Sequence, residues 1–404
     1  MLTVERRPAP SRAMLYASPF LAVALTMLAG AVVFSLMGYR GLLAVEQLFL
    51  APLAHPDRWP DLLLKAGPLV LIATGLTVGF RANVWNIGAE GQYIAGALAG
   101  TAVALATWGQ EGAWILPAMC GAGILGGVAW ATVPAFLRTR FGVSEILTSL
   151  MLTYVAVQAL FFLVRGPWRD PDGFNFPQTR MFTPSQTLPG IHEGSIVHWG
   201  VPIAAILALA AYGLLSRTVA GFEIKVVGLA PAAARYGGFS ERRTIWVSLL
   251  AGGALAGLAG IFEAAGPFGQ LTPQFPAGYG YTAIVVAFLG RLNPLGIILA
   301  GIVLAVTYVG GELAQTAVGL PQAATGMFQA GLLFCLLATD VLVRYRVRVG
   351  PASPSPLAGE GVGPQGRRMK GTFRLGDPSS DPASPGHLLP QGKKGPRTTA
   401  EAAP

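Results

Sequence analysis

Long runs of apolar residues, separated by short polar stretches, recur from residue 17 to about residue 345. A helix needs about 20 apolar residues to cross the hydrocarbon layer, so runs of this length predict transmembrane helices. Nine runs qualify: 17–37, 62–80, 87–108, 113–137, 146–164, 197–215, 244–266, 294–311 and 321–342. A tenth, shorter run at 281–290 predicts either a short crossing or a re-entrant segment formed with the uncharged stretch 266–280.

The composition supports an all-α, polytopic integral membrane protein with about ten transmembrane helices. Of the 404 residues, 53% are hydrophobic and 12% are charged, which is about half the charged fraction of a soluble domain. A water-soluble enzyme is therefore excluded. The run 17–37 follows three arginines, as a signal peptide does, but it is too long and lacks a small-residue cleavage site. It predicts an uncleaved anchor.

The positions of lysine and arginine predict the orientation, because short cytoplasmic loops carry an excess of both. With ten crossings and a cytoplasmic N-terminus, 15 of the 28 Lys and Arg lie inside, 6 lie outside and 7 lie beyond Gly350. Both chain ends are then cytoplasmic, and Arg291 lies inside only if 281–290 crosses. The net charge of +9 is thus a topology signal, since no clustered basic face indicates nucleic-acid binding.

The chain is predicted to have three parts. Residues 1–16 form a cytoplasmic N-terminus, and residues 17–345 form the transmembrane domain, with a cytoplasmic loop at 217–243 and an outer loop at 165–197. Residues 346–404 are rich in proline, serine and glycine and nearly lack apolar periodicity. Such a segment buries too little surface to offset its ordering, so we predict a disordered tail.

Polar groups inside the apolar runs are the candidate functional residues, since they are costly in a membrane. Asn83, Asn86, Glu90 and Gln92 crowd the start of the third run, where two glycines interrupt it. An interrupted backbone is tolerated there only when it is buried in protein or lines a cavity. The cluster therefore predicts a polar translocation pathway, with helix capping by Glu90 at the interface as the alternative.

Two further carboxylates complete the predicted pathway set. Glu145 follows Ser144 in an N-cap pattern at the start of the fifth run. Glu263 lies late in the seventh run, and no Lys or Arg within that run pairs with it. It either lies near the outer interface, where it is solvated, or faces a polar pathway.

The basic loop 217–243 contains a short predicted helix. Pro231 is suited to its first position, and two glycines follow Tyr236. A small helix between two spans buries little against its own chain, so it predicts either a docking surface for a partner or a plain interfacial helix. The candidate docking residues are Pro231, Ala233, Ala234, Arg235 and Tyr236.

Several absences restrict the chemistry. The chain has no G-x-x-x-x-G-K-[ST] motif for nucleotide binding. Its two cysteines, Cys120 and Cys335, and its four histidines do not have the spacing of metal ligands, and no Ser/His/Asp set can be argued. We therefore predict a protein that is not an enzyme and has no cofactor and no metal; if transport is ATP-driven, the ATPase is another chain.

Two segments resemble the membrane permease subunits of ATP-binding cassette (ABC) importers, specifically the simple-sugar and nucleoside branch. Residues 278–296 read GYGYTAIVVAFLGRLNPLG, which is similar to the most specific pattern of that family, and residues 86–92 read NIGAEGQ, its second hallmark. The resemblance extends from about residue 62 to about residue 342. Neutral polar substrates suit a pathway rich in amides and poor in charge.

Two matches are imperfect. The family usually has asparagine at the positions of Ser144 and Thr153. Its docking loop usually reads G-x-N-P-x-A-A-x-Y-A-G-I, whereas residues 228–239 read GLAPAAARYGGF, so Ala230 replaces the capping amide, at a cost of about 1 kcal/mol. These departures concern the substrate and the strength of coupling more than the family.

The resemblance implies a set of partners in the inner membrane of a bacterium. Two related permeases, which we expect to be a heterodimer, form the pore, separate ABC ATPases dock on the loop helix, and an extracytoplasmic binding protein delivers the substrate. The outer loop is expected either to receive that binding protein or to plug the outer mouth. No nucleic acid is expected as a partner.

Other functions stay open at this point. A branched-chain amino acid permease is the alternative within the same superfamily. An ion-coupled secondary transporter that works alone, through Glu90 and Glu263, is the alternative from another class. A membrane scaffold is disfavoured, because a scaffold does not need amides and carboxylates inside its spans.

Overall fold

The computed structural model describes residues 2–6, 11–192 and 194–349, and this part of the chain is mostly helical. A 3-10 turn at Pro56–Arg58 and a π-helical turn at Ala264–Phe268 interrupt the α-helices. Two strands, β1 (Leu2–Arg6) and β2 (Tyr345–Val349), lie near its ends. The helices are α1 (Arg12–Leu36), α2 (Gly41–Phe49), α3 (Ala51–Ala54), α4 (Trp59–Arg81), α5 (Ala89–Ala106), α6 (Ile115–Phe141), α7 (Glu145–Arg165), α8 (Gly200–Arg217), α9 (Val219–Leu229), α10 (Pro231–Tyr236), α11 (Glu241–Glu263), α12 (Tyr279–Leu289), α13 (Pro294–Val318) and α14 (Gln322–Arg344).

Each predicted apolar run corresponds to one of these helices, so the polytopic helical fold is confirmed. Within the described residues, eight helices are long and apolar enough to cross a membrane; α5 and α12 are not among them. Helix α12 has only 11 residues, and α5 has polar residues in its first turns. The number of crossings therefore stays a prediction. The apolar pattern did not indicate α2, α3 or α9, which are short.

The helices form an inner and an outer group. Most of the apolar windows of α4, α11 and α13 are buried inside the chain, whereas those of α1, α6, α7 and α8 are at most 28% buried. An apolar helix face that the chain itself leaves open suits lipid or a second membrane protein. The buried group, with α5 and α12 packed against it, therefore contains the candidate site.

Close packing of α5, α6 and α11 depends on glycine. A Cβ atom on Gly96 would meet the backbone of Gly257, and one on Gly127 would meet the carbonyl oxygen of Gly253. Small residues at such positions allow helix backbones to approach closely in membranes. The glycine pairs four residues apart, at 96 and 100 and at 253 and 257, thus serve bundle packing.

The two ends of the transmembrane region are joined. Strand β1 pairs antiparallel with β2, with Leu2 opposite Val349 and Arg6 opposite Tyr345. The predicted tail begins at 346, so its first four residues lie in a strand instead, because β1 supplies the hydrogen-bonding partners. The rest of the predicted tail, 350–404, lies outside the described residues.

Candidate functional site

The turn between α4 and α5 contains a closed pair of amides. The Asn86 amide donates to Gln92 Oε1 at 2.8 Å, and the Gln92 amide donates back to Asn86 Oδ1 at 3.3 Å. Asn86 Oδ1 also accepts from the Gly88 N–H at 3.1 Å, and both amide side chains are buried. Most of their hydrogen-bonding capacity is therefore used to hold the turn.

Asn83 lies apart from this pair, at the beginning of the turn. Its φ of 57° is in the left-handed region, which asparagine tolerates better than most residues. Its side-chain oxygen accepts from Trp85 Nε1 at 3.1 Å, and the residue is exposed. Asn83 therefore shapes the turn and is not among the buried polar groups.

Glu90 caps a helix that is far away in the sequence. Its carboxylate oxygens accept from the backbone N–H of Gly278 at 2.9 Å and of Gly280 at 2.6 Å. These N–H groups belong to the N-cap residue and to the first turn of α12, where they have no partner within the helix. A negative charge there is also favoured by the helix dipole. Glu90 is 2% exposed, so this is a buried cap between the two hallmark segments.

Glu263 reaches the same turn of α12 from another direction. Tyr279 Oη donates to Glu263 Oε1 at 3.3 Å, and the Lys65 ammonium lies 5.9 Å from the centre of the Tyr279 ring. Glu263 is 2% exposed, so the solvated position that the sequence also allowed is excluded. A basic residue thus approaches this site from α4, outside the run that contains Glu263.

Glu145 is in an ion pair at the start of α7. Its carboxylate pairs with Arg138 from α6 and accepts from the Trp85 backbone N–H at 3.1 Å. Ser144 occupies the N-cap position of α7, but its side chain makes no capping hydrogen bond. The sequence expectation that Ser144 caps this helix is therefore wrong, and Glu145 connects α6, α7 and the α4–α5 turn.

The predicted pathway residues thus form two groups. Glu90 and Glu263 converge on the first turn of α12, whereas Asn83 and Glu145 meet around Trp85, and the Asn86–Gln92 pair lies between them. Within the part of the chain that the structure describes, no three His, Cys, Asp or Glu are close enough to hold a metal ion.

The predicted docking helix is present as α10, and most of it faces outward. Tyr236 is 99% exposed, while Ala234 is buried. Pro231, Ala233 and Arg235 are also exposed. Ala230 occupies the N-cap position without a side-chain hydrogen bond, as its lack of an amide predicts.

The preceding helix, α9, anchors this surface to the bundle. Gly228 lies against the backbone of Arg81 and Ala82, so closely that a Cβ atom would meet the Arg81 carbonyl oxygen. Apolar side chains of Val219, Phe222 and Leu229 are exposed beside α10. The loop 217–243 is therefore a structured surface that contacts the end of α4.

The outer loop packs on one side and is open on the other. Gln186 donates to the Ala104 carbonyl at 2.8 Å, and Leu271 donates to Thr179 Oγ1 at 2.9 Å. Phe174 and Phe176, in contrast, are 93% and 65% exposed. The loop covers the ends of α5 and of the segment after α11, and it also presents aromatic side chains outward.

The sequence reasoning missed two polar stripes near the ends of α13 and α14. On each helix, polar residues recur at i, i+3 or i+4, and i+7, which places them on one face. Glu312 and Gln315 lie beyond the apolar run that ends at 311, and the polar residues of α14 are spread at helical spacing instead of clustered, so the run pattern did not single them out. The stripes are Tyr308, Glu312 and Gln315 on α13, and Gln322, Thr325 and Gln329 on α14.

Known proteins resemble this chain over most of its length. The family described as a branched-chain amino acid transport system permease component matches residues 60–337. A glucose ABC transporter permease protein of Haloferax volcanii is 36% identical over 344 residues, 83% of this chain and 90% of that relative. A nucleoside ABC transporter permease protein of Lactococcus lactis subsp. cremoris is 28% identical over 80% of this chain and 91% of that relative. A guanosine ABC transporter permease protein of Bacillus subtilis is 27% identical over 81% of this chain and 94% of that relative.

Proposed function

We propose that this chain, which belongs to the family of branched-chain amino acid transport system permease components, forms the translocation pathway of an ABC importer for a sugar or a nucleoside. The resemblance to ABC permeases that the hallmark segments indicated is confirmed, and the chain is a multi-pass membrane transport subunit. The observation that carries the proposal is the buried contact between the two hallmark segments, where Glu90 caps α12.

The depth of this contact supports a role in the pathway. Arg81 Nε donates to the Leu292 carbonyl at 2.8 Å, so α4 and α12 end at one level. The 11 residues of α12 rise about 16 Å, roughly half of a hydrocarbon layer of about 30 Å. The first turn of α12 then lies near the midplane, where transporters with interrupted helices bind their substrates.

The predicted pathway residues keep that role in our proposal, as the polar wall that encloses the substrate route. Six polar side chains from the α4–α5 turn, α5, α7 and α11 hold the α4–α5 turn and the start of α12 in place. Backbone that is not helical is tolerated at membrane depth only where it is buried in protein or lines a cavity, and not where it faces lipid. The route would open alternately to each side as the bundle shifts between states. These residues are Asn83, Asn86, Glu90, Gln92, Glu145 and Glu263.

We propose ten crossings with both ends in the cytoplasm of a bacterium, across its inner membrane. The β1–β2 pairing supports this topology, because two paired strands must lie on one side of the membrane, which requires an even number of crossings. Helix α12 then crosses as a short helix together with the segment after Phe268. The common level of Arg81 and Leu292 fits a cytoplasmic position for both.

This topology predicts which side of the membrane each loop faces. Cysteine placed at Arg140 or at Arg242 should react with an impermeant maleimide only after the membrane is opened, whereas cysteine at Glu111 should react in intact cells. All three residues are exposed. Labelling of position 140 in intact cells at the rate of position 111 would contradict the proposed orientation.

The partners follow from three exposed surfaces of the chain. ABC ATPase subunits would dock on α10 and the apolar patch beside it, and an extracytoplasmic binding protein would dock on the open side of the outer loop, at Phe174 and Phe176. A second, related permease would cover the open apolar faces of the outer helices, as a heterodimer. ATP hydrolysis would then occur on the partner chain, and this subunit would catalyse no reaction.

The substrate class rests on the relatives and on the polar groups. Three relatives are named for glucose, nucleosides or guanosine. The family description names branched-chain amino acids, so an amino acid permease is the second candidate. An ion-coupled carrier that uses Glu90 and Glu263 is a weaker third, because one carboxylate caps α12 and the other accepts from Tyr279.

Uptake by membrane vesicles tests these candidates. We expect vesicles that contain the chain and its partners to take up labelled glucose or guanosine in an ATP-dependent, vanadate-sensitive manner, and to take up leucine much more slowly. A matched vesicle preparation that lacks only this chain is the control. Uptake that survives vanadate and collapses with the proton gradient would refute the ABC proposal, and preferential leucine uptake would refute the substrate class.

A further inference from the structure

A cavity of about 440 Å³, lined by both polar and apolar residues, lies between α12, α13 and α14. The two polar stripes on α13 and α14 line it, together with Tyr281 and Thr282 of α12 and Gly278 at the N-cap of that helix. In the proposed orientation, Gln315 and Gln322 lie near the outer ends of their helices, and Gly278 lies near the midplane. The cavity thus extends from the outer side toward the turn that Glu90 caps. Small-molecule sites have volumes in this range.

The inner end of the cavity is a fixed network of hydrogen bonds. Gln329 Oε1 accepts from Thr282 Oγ1 at 3.2 Å, and Gln329 Nε2 donates to Thr307 Oγ1 at 3.2 Å. The hydroxyls of Thr282 and Tyr308 are 2.9 Å apart. Gln329 is 8% exposed, and its amide is hydrogen-bonded to residues of two other helices. A buried network of this kind fixes the orientation of its members.

The outer part of the cavity offers polar groups that have no internal partner. In the described ranges, the side chains of Glu312, Gln315 and Gln322 make no hydrogen bond and no ion pair. Amide groups both donate and accept, and a carboxylate accepts from hydroxyls. These groups are therefore available to a bound molecule that has several hydroxyls.

The lining also restricts the charge of the ligand. No Lys or Arg is among the lining residues, so the carboxylate of an amino acid would enter the cavity without a cationic partner. An unpaired charge of this kind is costly to bury. Tyr281, Tyr308 and Leu333 supply apolar surface for the face of a ring. The lining thus disfavours an anionic group, and it suits a ring whose hydroxyl groups can donate to Glu312 and to the amides.

We propose that this cavity binds the sugar ring of an incoming sugar or nucleoside on its way from the outer side to the midplane. The proposal rests on the proposed function for the transport direction and the substrate class. It goes further by placing recognition of the ring within this one subunit, on the hydroxyls and amides of α12, α13 and α14.

Protection from a cysteine reagent tests the cavity directly. Full-length chain in native membranes, with Cys120 and Cys335 replaced by alanine, would carry Ala330→Cys, which lines the cavity. We expect glucose or guanosine at saturating concentration to slow its reaction with an impermeant maleimide about tenfold. The matched control is Ala323→Cys, an exposed position on the same helix outside the lining, whose reaction should not change.

A second variant distinguishes a ligand contact from a structural effect. Gln315→Leu removes an amide that makes no hydrogen bond to another residue, so folding should be unaffected. The ligand concentration that gives half-maximal protection should rise about fivefold, which is the effect of losing one neutral hydrogen bond. Gln110→Leu, an exposed amide of the outer side away from the cavity, should leave it unchanged.

The outcomes separate this proposal from the proposed function. Comparing glucose with guanosine shows whether a free sugar or a nucleoside supplies the ring. Failure of both to protect Ala330→Cys, or protection by leucine instead, would overturn the cavity assignment. Labelling needs no ATP hydrolysis, so protection without vanadate-sensitive uptake would leave the cavity standing and refute the transport mechanism. Vanadate-sensitive uptake without protection would support the transport mechanism and refute the cavity assignment.

Discussion

Exchanging Arg235 for glutamate is expected to lower ATP-driven uptake more than tenfold while the chain stays in the membrane in its normal amount. Arg235 is exposed on α10, beside the fully exposed Tyr236. Reversing a charge within a docked interface costs several kcal/mol, because like charges are then opposed. The bundle itself should be unaffected, since among the described residues no ion pair includes Arg235.

Three measurements check this expectation: uptake, the ATPase rate of the assembled transporter, and the amount of ATPase subunit that copurifies. Arg140→Glu is the matched control, because Arg140 is also an exposed cytoplasmic arginine in the proposed orientation but lies at the end of α6, away from α10. Normal uptake by the Arg235 variant, or equal losses in both variants, would refute the docking role of α10.

Removing the Glu90 carboxylate is expected to have the largest effect on folding. Glu90→Ala leaves two backbone N–H groups of α12 without their acceptor inside the bundle. Each hydrogen bond to a charged group contributes about 1.5–3 kcal/mol, so the pair contributes about 3–6 kcal/mol, a large part of a typical stability. We therefore expect little folded protein in the membrane and a strongly lowered Tm.

Gly280→Ala tests the same contact from the other side. Its Cβ atom would meet the backbone N and Cα of Glu90, where nothing flexible can move away, so we expect a comparable loss. The control is Glu46→Ala, which removes an exposed carboxylate from α2 and should leave Tm unchanged. A Glu90→Ala variant with normal Tm and no uptake would show that Glu90 serves the substrate and not the helix cap.

The positions of the long helices could be predicted from sequence, because each consists of a run that only a membrane or a core can accommodate. The partner of Glu90, in contrast, could not be predicted from the sequence. The carboxylate lies 188 residues from Gly278 and 190 from Gly280, and neither backbone N–H has a sequence signature beyond the glycine itself. Resemblance to the family marked both segments without indicating that they touch.

Other misses have local causes. Helix α9 begins at Val219, and the hydroxyl of its N-cap residue Thr218 accepts from the Gly221 N–H. The charged residues around this stretch led to its prediction as a loop. Ser144 has the right residue type for a cap, yet the neighbouring Glu145 is engaged with Arg138 and Trp85, and the serine side chain makes no bond to the helix. Residue type alone does not determine which polar group completes a helix end.

The Glu90 cap also has a consequence for the order in which the protein is made. The chain is synthesised from its N-terminus, so α5 is made long before α12 exists. Until residues 278–280 emerge, the Glu90 carboxylate has none of its final partners, and α12 in turn enters the bundle with its first N–H groups open. Contacts between such distant segments form late in folding. The first half of the chain must therefore wait in the membrane in an incomplete state, and a ribosome that stalls before residue 280 leaves a product that cannot close its own core.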